Sequence, residues 1–216
     1  MFRKLSPEKV YVTEDVYDDP RAVACVERIM TAIEGAELER VSYEKLNTFA
    51  VERWGKGKAW GEIADPHDPD IVMTTAKFLS EDDQEAMRTR YPNLWVRDMW
   101  GFQTHHLRGD GDPDMQWETS RICHSARELH SVDGCPFRCA YCGFGGVMRI
   151  FVNMEHYVEH LDEICALEPS QRLYKWDNRT DVSCFEPEWG ASKRLVEYFF
   201  FNDTATTEIY TGKSDN

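Results

Sequence analysis

Cys135, Cys139 and Cys142 lie on one short stretch, GCPFRCAYCGFGG (134–146), spaced C-x3-C-x2-C. Three thiolates on one loop can hold three corners of a cubane iron–sulfur cluster, leaving the fourth iron open to a small molecule. The glycines on the exit side allow the backbone to approach a bulky group closely. Zinc is the other reading. A structural zinc site takes four ligands, usually in two pairs. This chain has no second pair, so His124, His130 or Cys123 would have to close the tetrahedron. A disulfide framework fits poorly, because seven cysteines is an odd number and no secretory stretch opens the chain.

At 216 residues the chain is long enough for one domain or two small ones. Its formal charge is −14, from 39 acids against 25 bases, which argues against a broad nucleic-acid-binding surface but not against a local basic groove. No apolar run reaches membrane-spanning length. A cytoplasmic protein with reduced thiols is the expectation.

Periodicity predicts strands over 9–13, 37–42 and 71–75, and a helix opened by Pro20 through about residue 33, with Val23, Val26, Ile29 and Met30 on one face. That is a small N-terminal α/β unit. The aromatic stretch 93–100 reads as packing, at a domain interface, and 103–120 reads as loop. Residues 127–132 read as the strand that delivers the cysteine loop. Asn153 is placed to cap a helix over 154–167, residues 172–176 form the next strand, and 190–201 begin another helix. Strand, loop, helix, strand, loop, helix is the opening of a (β/α) barrel. The expected organisation is 1–120 as the N-terminal unit and linker, 121–201 as the start of the barrel, and 202–216 as a tail.

The cysteine spacing, with an aromatic before the last cysteine, resembles the signature of the radical SAM superfamily. Beyond it, VYVTEDV (10–16), the segment RIFVN (149–153), Thr180-Asp181 and EPEWG (186–190) resemble the spore photoproduct lyase family in order and rough spacing. The resemblance spans about residues 10–200. It implies an α/β fold with the first strand–helix units of an incomplete radical SAM barrel. It also implies that Cys135, Cys139 and Cys142 ligate a [4Fe-4S] cluster. The open iron would bind S-adenosyl-L-methionine, and one electron would cleave it to a 5′-deoxyadenosyl radical. By the same resemblance Tyr141 packs near the adenine, and Thr180 and Asp181 line the cofactor site. A flavodoxin or ferredoxin would donate the electron, and a DNA lesion would be the substrate. One departure stands out. Spore photoproduct lyases carry a hydrogen-donating cysteine shortly before that Asp, where this chain has Asn178; Cys184 comes after Asp181. No catalytic residue is singled out. The competing function is a zinc-stabilised, non-catalytic binding module.

Residues 202–211, NDTATTEIYT, turn abruptly polar after YFFF (198–201) and match the translation of a common sequencing adapter. The expectation is a chain truncated near 199–201, with an artefactual, disordered tail and an exposed parallel sheet edge.

Overall fold

Lys9–Thr13 forms the first strand, β1, in a computed structural model that describes residues 5–52, 54, 69–94, 99–100, 107–108, 126–137, 147–167, 173–176, 180, 185–201 and 208–211. Val10 and Val12 of β1 face one way and Tyr11 the other, as strand alternation requires, and all three are buried. A strand buried on both faces belongs inside a covered parallel sheet. Accordingly β1 pairs parallel with Glu37–Val41 (β2) on one side and with Asp70–Thr74 (β3) on the other.

Pro20–Met30 (α1) links β1 to β2, and Tyr43–Glu52 (α2) lies between β2 and β3. The Asp19 carboxylate accepts from the Arg21 backbone N–H at 2.8 Å and Pro20 takes the first turn, so α1 starts where the sequence predicts. It ends at Met30, short of residue 33. α1 lays Ala22, Val26 and Ile29 on Val10, Val12, Ile71 and Met73. α2, not anticipated from sequence, lays Leu46 on the opposite face with Tyr11, Val41, Val72 and Trp100. Each aliphatic side chain so buried contributes roughly 1.5–3 kcal/mol. The stretch 93–100 is packing, as expected, but its described apolar residues Leu94, Met99 and Trp100 cover this sheet face.

Beyond β3 the chain forms Glu81–Arg90 (α3), Leu107–Arg108 (β4), Ala126–Leu129 (β5), Val132–Asp133 (β6) and Val147–Phe151 (β7). It continues through Met154–Glu159 (α4), Leu161–Leu167 (α5), Leu173–Trp176 (β8), Glu186–Trp189 (α6), Ala191–Phe201 (α7) and Glu208–Thr211 (β9). Two sheets result. The first runs β2-β1-β3-β7-β6, with β6 antiparallel to β7. The second runs β4-β5-β8-β9, parallel from β5 to β9. Strand β7 therefore joins the N-terminal sheet across the boundary expected near 120. Its Met148, Ile150 and Phe151 are buried, and pairing with β3 satisfies a central strand that would otherwise be an edge. One apolar core links the sheets, running from Ile71 and Ile150 through Tyr157 and Leu161 to Trp176, Trp189 and Leu195. The architecture is α/β throughout, and among the described residues no helix is long and apolar enough to cross a membrane.

Three local readings change. The single helix expected over 154–167 is two, separated at His160, whose Nδ1 lies 2.9 Å from the His156 carbonyl oxygen. Residues 208–211, expected to be disordered, form β9: the outer edge of β8 presents unpaired backbone groups, and EIYT has strand-forming residues to pair with them. Asn153 occupies the cap position of α4 without capping it. Its buried amide instead bridges to β3's extension, accepting from Ala76 N at 2.7 Å and donating to Ala76 O at 3.0 Å. Asn153→Ala strands both of those backbone groups and should cost about 2 kcal/mol. Asn153→Asp, which keeps only the acceptor, should recover less than half. Urea midpoints of the three proteins test this; a loss within error of zero for Asn153→Ala would sink it.

Candidate cofactor site at the cysteine loop

The chain reaches the cysteine loop by changing sheets. β5 ends at Leu129 in the second sheet, His130 and Ser131 are buried, and β6 then pairs with β7 in the first sheet. The sequence placed one continuous strand here. Ser131 is the pivot. Its carbonyl accepts from Phe151 N at 2.9 Å and from Arg149 Nη1 at 3.0 Å, and its hydroxyl accepts from Trp176 Nε1 at 2.8 Å. One residue thus ties the loop's approach to β7 and to β8.

Gly134 follows with φ +90°, so close to β7 that a Cβ would stand 2.2 Å from the Val147 carbonyl oxygen. Cys135 is half-buried and Phe137 is exposed. Arg149, opposite Asp133 in the β6–β7 register, is 4% exposed, with its guanidinium carbon 3.8 Å from the Phe151 ring centroid.

Cys139, Tyr141, Cys142, Asn178, Asp181, Cys184 and His124 lie outside the described residues. Thr180 is described. It follows β8, the parallel neighbour of β5, and the two strands end level, with Leu129 opposite Trp176. Its Oγ1 is buried and has no hydrogen-bond partner among the described residues. An unsatisfied buried hydroxyl costs about 1–3 kcal/mol, so the position favours a ligand that supplies the missing bond. Parallel pairing therefore sets β5, which leads through β6 toward the cysteine loop, beside β8, which precedes Thr180. No contact between Cys135 and Thr180 is among the described interactions. Among the described residues no group of three or more His, Cys, Asp or Glu side chains could hold a metal, and the set for a cluster needs the two cysteines beyond them.

A second polar site, missed by sequence reasoning, sits where β1 and β3 end. Asp15, in the 3-10 turn Glu14–Asp18, accepts on Oδ2 from Tyr43 Oη at 2.8 Å, from the Thr75 hydroxyl and from Lys77 Nζ at 2.8 Å. Thr13 Oγ1 donates to Thr74 Oγ1 at 3.0 Å, and Thr74 Oγ1 lies 3.0 Å from Tyr43 Oη. Burial pushes the Asp15 carboxyl up, but hydrogen bonds from Lys77 and Thr75 outweigh it and hold the group below the usual carboxylate range. Burial and the neighbouring Asp15 charge push the Tyr43 hydroxyl far above its ordinary value, so it stays protonated and donates. The available signal was polar residues at the C-terminal ends of two buried strands, a position that collects ligands in parallel sheets.

No family model and no curated protein significantly matches the chain. Its fold resembles solved structures of spore photoproduct lyase. A cysteine-to-serine mutant aligns with a TM-score of 0.51 at 11% identity, over 95% of this chain and 50% of that one. The lyase complexed with dinucleoside spore photoproduct aligns at 0.53, with the same identity and coverage. A double mutant with bound AdoMet and dinucleoside spore photoproduct aligns at 0.51, again at 11% identity and over 95% and 50% of the two chains. This chain thus spans about half the length of the solved structures it matches, and what the likeness shows is the fold: an α/β unit running into part of the neighbours' architecture.

Proposed function

We propose that this chain is part of a radical SAM iron–sulfur enzyme. The observation that carries the reading is the coincidence of a C-x3-C-x2-C loop with the fold of spore photoproduct lyase, one form of which is solved with AdoMet. In this reading the thiolates of Cys135, Cys139 and Cys142 would hold three irons of a [4Fe-4S] cluster, whose open fourth iron would accept S-adenosyl-L-methionine. The donor chemistry fits: three thiols on one loop, a buried cation on the adjoining strand, and an open buried hydroxyl at Thr180. When bound, the group supplies one electron for reductive cleavage of the sulfonium and so a 5′-deoxyadenosyl radical that abstracts hydrogen.

The chain's own residues orient and shield. Gly134 lets the loop pass against β7. Thr180 donates to the carboxylate of the bound methionine moiety, Asp181 pairs with its ammonium, and Tyr141 packs on the adenine side. The electron comes from a small flavodoxin- or ferredoxin-type donor in a reducing, cytoplasmic setting. The substrate class we favour is a nucleic-acid lesion related to the dinucleoside that the neighbours bind, with Asn178 requiring the returned hydrogen to come from a group other than a cysteine at that position.

Anaerobic reconstitution with iron and sulfide tests this. The expected product is brown, with about four iron per chain, and Cys139→Ala should lose most of that iron. Addition of S-adenosyl-L-methionine should change the electron paramagnetic resonance signal of the reduced cluster. Stoichiometric zinc in a colourless protein, with no iron uptake, would instead establish the zinc-stabilised binding module.

A further inference from the structure

The polar site around Asp15 lies at the opposite end of the first sheet from Gly134, the residue before Cys135. In the β3–β7 register Asp70 stands opposite Val147 and Thr74 opposite Phe151. Gly134, next to Cys135, packs on Val147, at the end where β3 and β7 begin. Thr74, Thr75 and Lys77 lie at the end where they finish. About five residues of strand, roughly 15 Å, separate the two levels.

The topology marks this second end. The chain leaves β1 through α1 on one face to reach β2, then returns through α2 on the other face to reach β3 on the far side of β1. The connections diverge between β1 and β3, and the carboxyl ends of two such strands are the place where open α/β sheets form a ligand crevice.

The hydrogen bonds there are lopsided. Tyr43 donates to Asp15, so the Tyr43–Thr74 contact must be filled by a proton from Thr74, and Thr74 in turn receives one from Thr13. Every hydroxyl in the chain points its proton toward Asp15. Three donors converge on Oδ2, while Oδ1 is buried and has no hydrogen-bond partner among the described residues. A charged oxygen out of water calls for a donor. Beside it, Lys77 is one-third exposed and spends one of its three N–H donors on Asp15. A ligand for this crevice must therefore donate to Oδ1 and accept from Lys77 at neighbouring atoms. Two adjacent hydroxyls do both. A diphosphate accepts from Lys77 but has no proton to give Oδ1, and the turn after β1, TEDVYDD (13–19), has no glycine with which to cradle one.

We propose that the β1/β3 crevice is a second binding site, distinct from the cysteine loop, for a small molecule carrying a vicinal diol, such as the ribose of a nucleoside. Asp15 takes one hydroxyl as acceptor and Lys77 gives a proton to the other. The site does not depend on a cofactor at the cysteine loop.

Uridine is the probe, because it carries the ribose diol without adenine and so does not imitate S-adenosyl-L-methionine. In nitrogen-15 spectra of the full chain, uridine should move the amide resonances of Thr75, Ala76 and Lys77 saturably. 2′-Deoxyuridine, lacking one hydroxyl, should bind at least about tenfold more weakly, the loss of one hydrogen bond to a charged group. Asp15→Asn should abolish the shifts; if that variant does not fold, the comparison of the two nucleosides on the wild-type chain decides. Equal affinity for both nucleosides, shifts confined to residues of the cysteine loop, or no saturable shift would each overturn the proposal.

Discussion

Gly134→Ala is expected to destabilise this chain by roughly 3 kcal/mol or more, and to do so through a single methyl group. Two costs add. At φ +90° an L side chain pays roughly 1–2 kcal/mol for the backbone conformation alone. The steric cost is larger, because the new Cβ would stand 2.2 Å from the Val147 carbonyl oxygen and 2.9 Å from Met148 Cα. Those atoms belong to β7, whose backbone is held in register by β3, so no side-chain rotation relieves the overlap. Gly35 separates the two costs. It also has a positive φ, +73°, but a methyl group added there would meet nothing within 4 Å, so Gly35→Ala should cost only the conformational part, roughly 1 kcal/mol. Urea midpoints followed by tryptophan fluorescence give both numbers. Equal losses would mean that β7 yields easily and that the loop's entry is not pinned. Because Gly134 immediately precedes Cys135, Gly134→Ala should also take up less iron on reconstitution, whereas Gly35→Ala should match the wild type.

What could be read from the sequence was local. The cysteine spacing is contained in eight residues, β1 and β3 announce themselves as short runs rich in β-branched and aromatic residues, and β2 shows only the alternation of ELERV. Pro20 marks the start of α1, though its buried face runs through Ala22, Cys25, Val26 and Ile29 and leaves Val23 only half-buried. α2 was missed although Tyr43, Leu46, Phe49 and Ala50 share one apolar face, of which Leu46 alone is fully buried. Asn153 looked like a cap because caps are local, but its partner, Ala76, is 77 residues away. Ser131 and Arg149 are similar: their importance comes from a change of sheet, which no periodicity reports. Tyr141, Thr180 and Asp181 rest on the resemblance: Tyr141 and Asp181 lie outside the described residues, and of Thr180 the structure shows a buried hydroxyl with no partner among them. The Asp15 site was the least legible. Its parts are spread over 13–15, 43 and 74–77, and only the topology of a parallel sheet collects them.

That same dispersion makes Asp15 the second large effect. Asp15→Asn should destabilise the chain at neutral pH by about 2–3 kcal/mol, because the hydroxyls of Tyr43 and Thr75 lose a charged acceptor that binds each more strongly than a neutral one would. The ion pair with Lys77 contributes less than a fully buried one, since Lys77 remains one-third exposed and can turn to water. The pH dependence isolates the charge. The folded carboxyl titrates below its unfolded value near 3.9, so its contribution is fully present above about pH 4 and is lost as the pH falls through the lower folded value. Other carboxylates lose stability in the same range, among them Asp19, Glu37 and Glu44, but they do so in both proteins and cancel in the difference. The gap between wild type and Asp15→Asn should therefore be constant from pH 7 to about 5 and shrink steadily below 4. A gap unchanged down to pH 3 would show that the asparagine acts by shape alone. Adding Lys77→Met to both proteins completes a double-mutant cycle. A coupling below about 1 kcal/mol would assign the stability to the hydroxyl network rather than to the ion pair, leaving Lys77 free to serve the crevice.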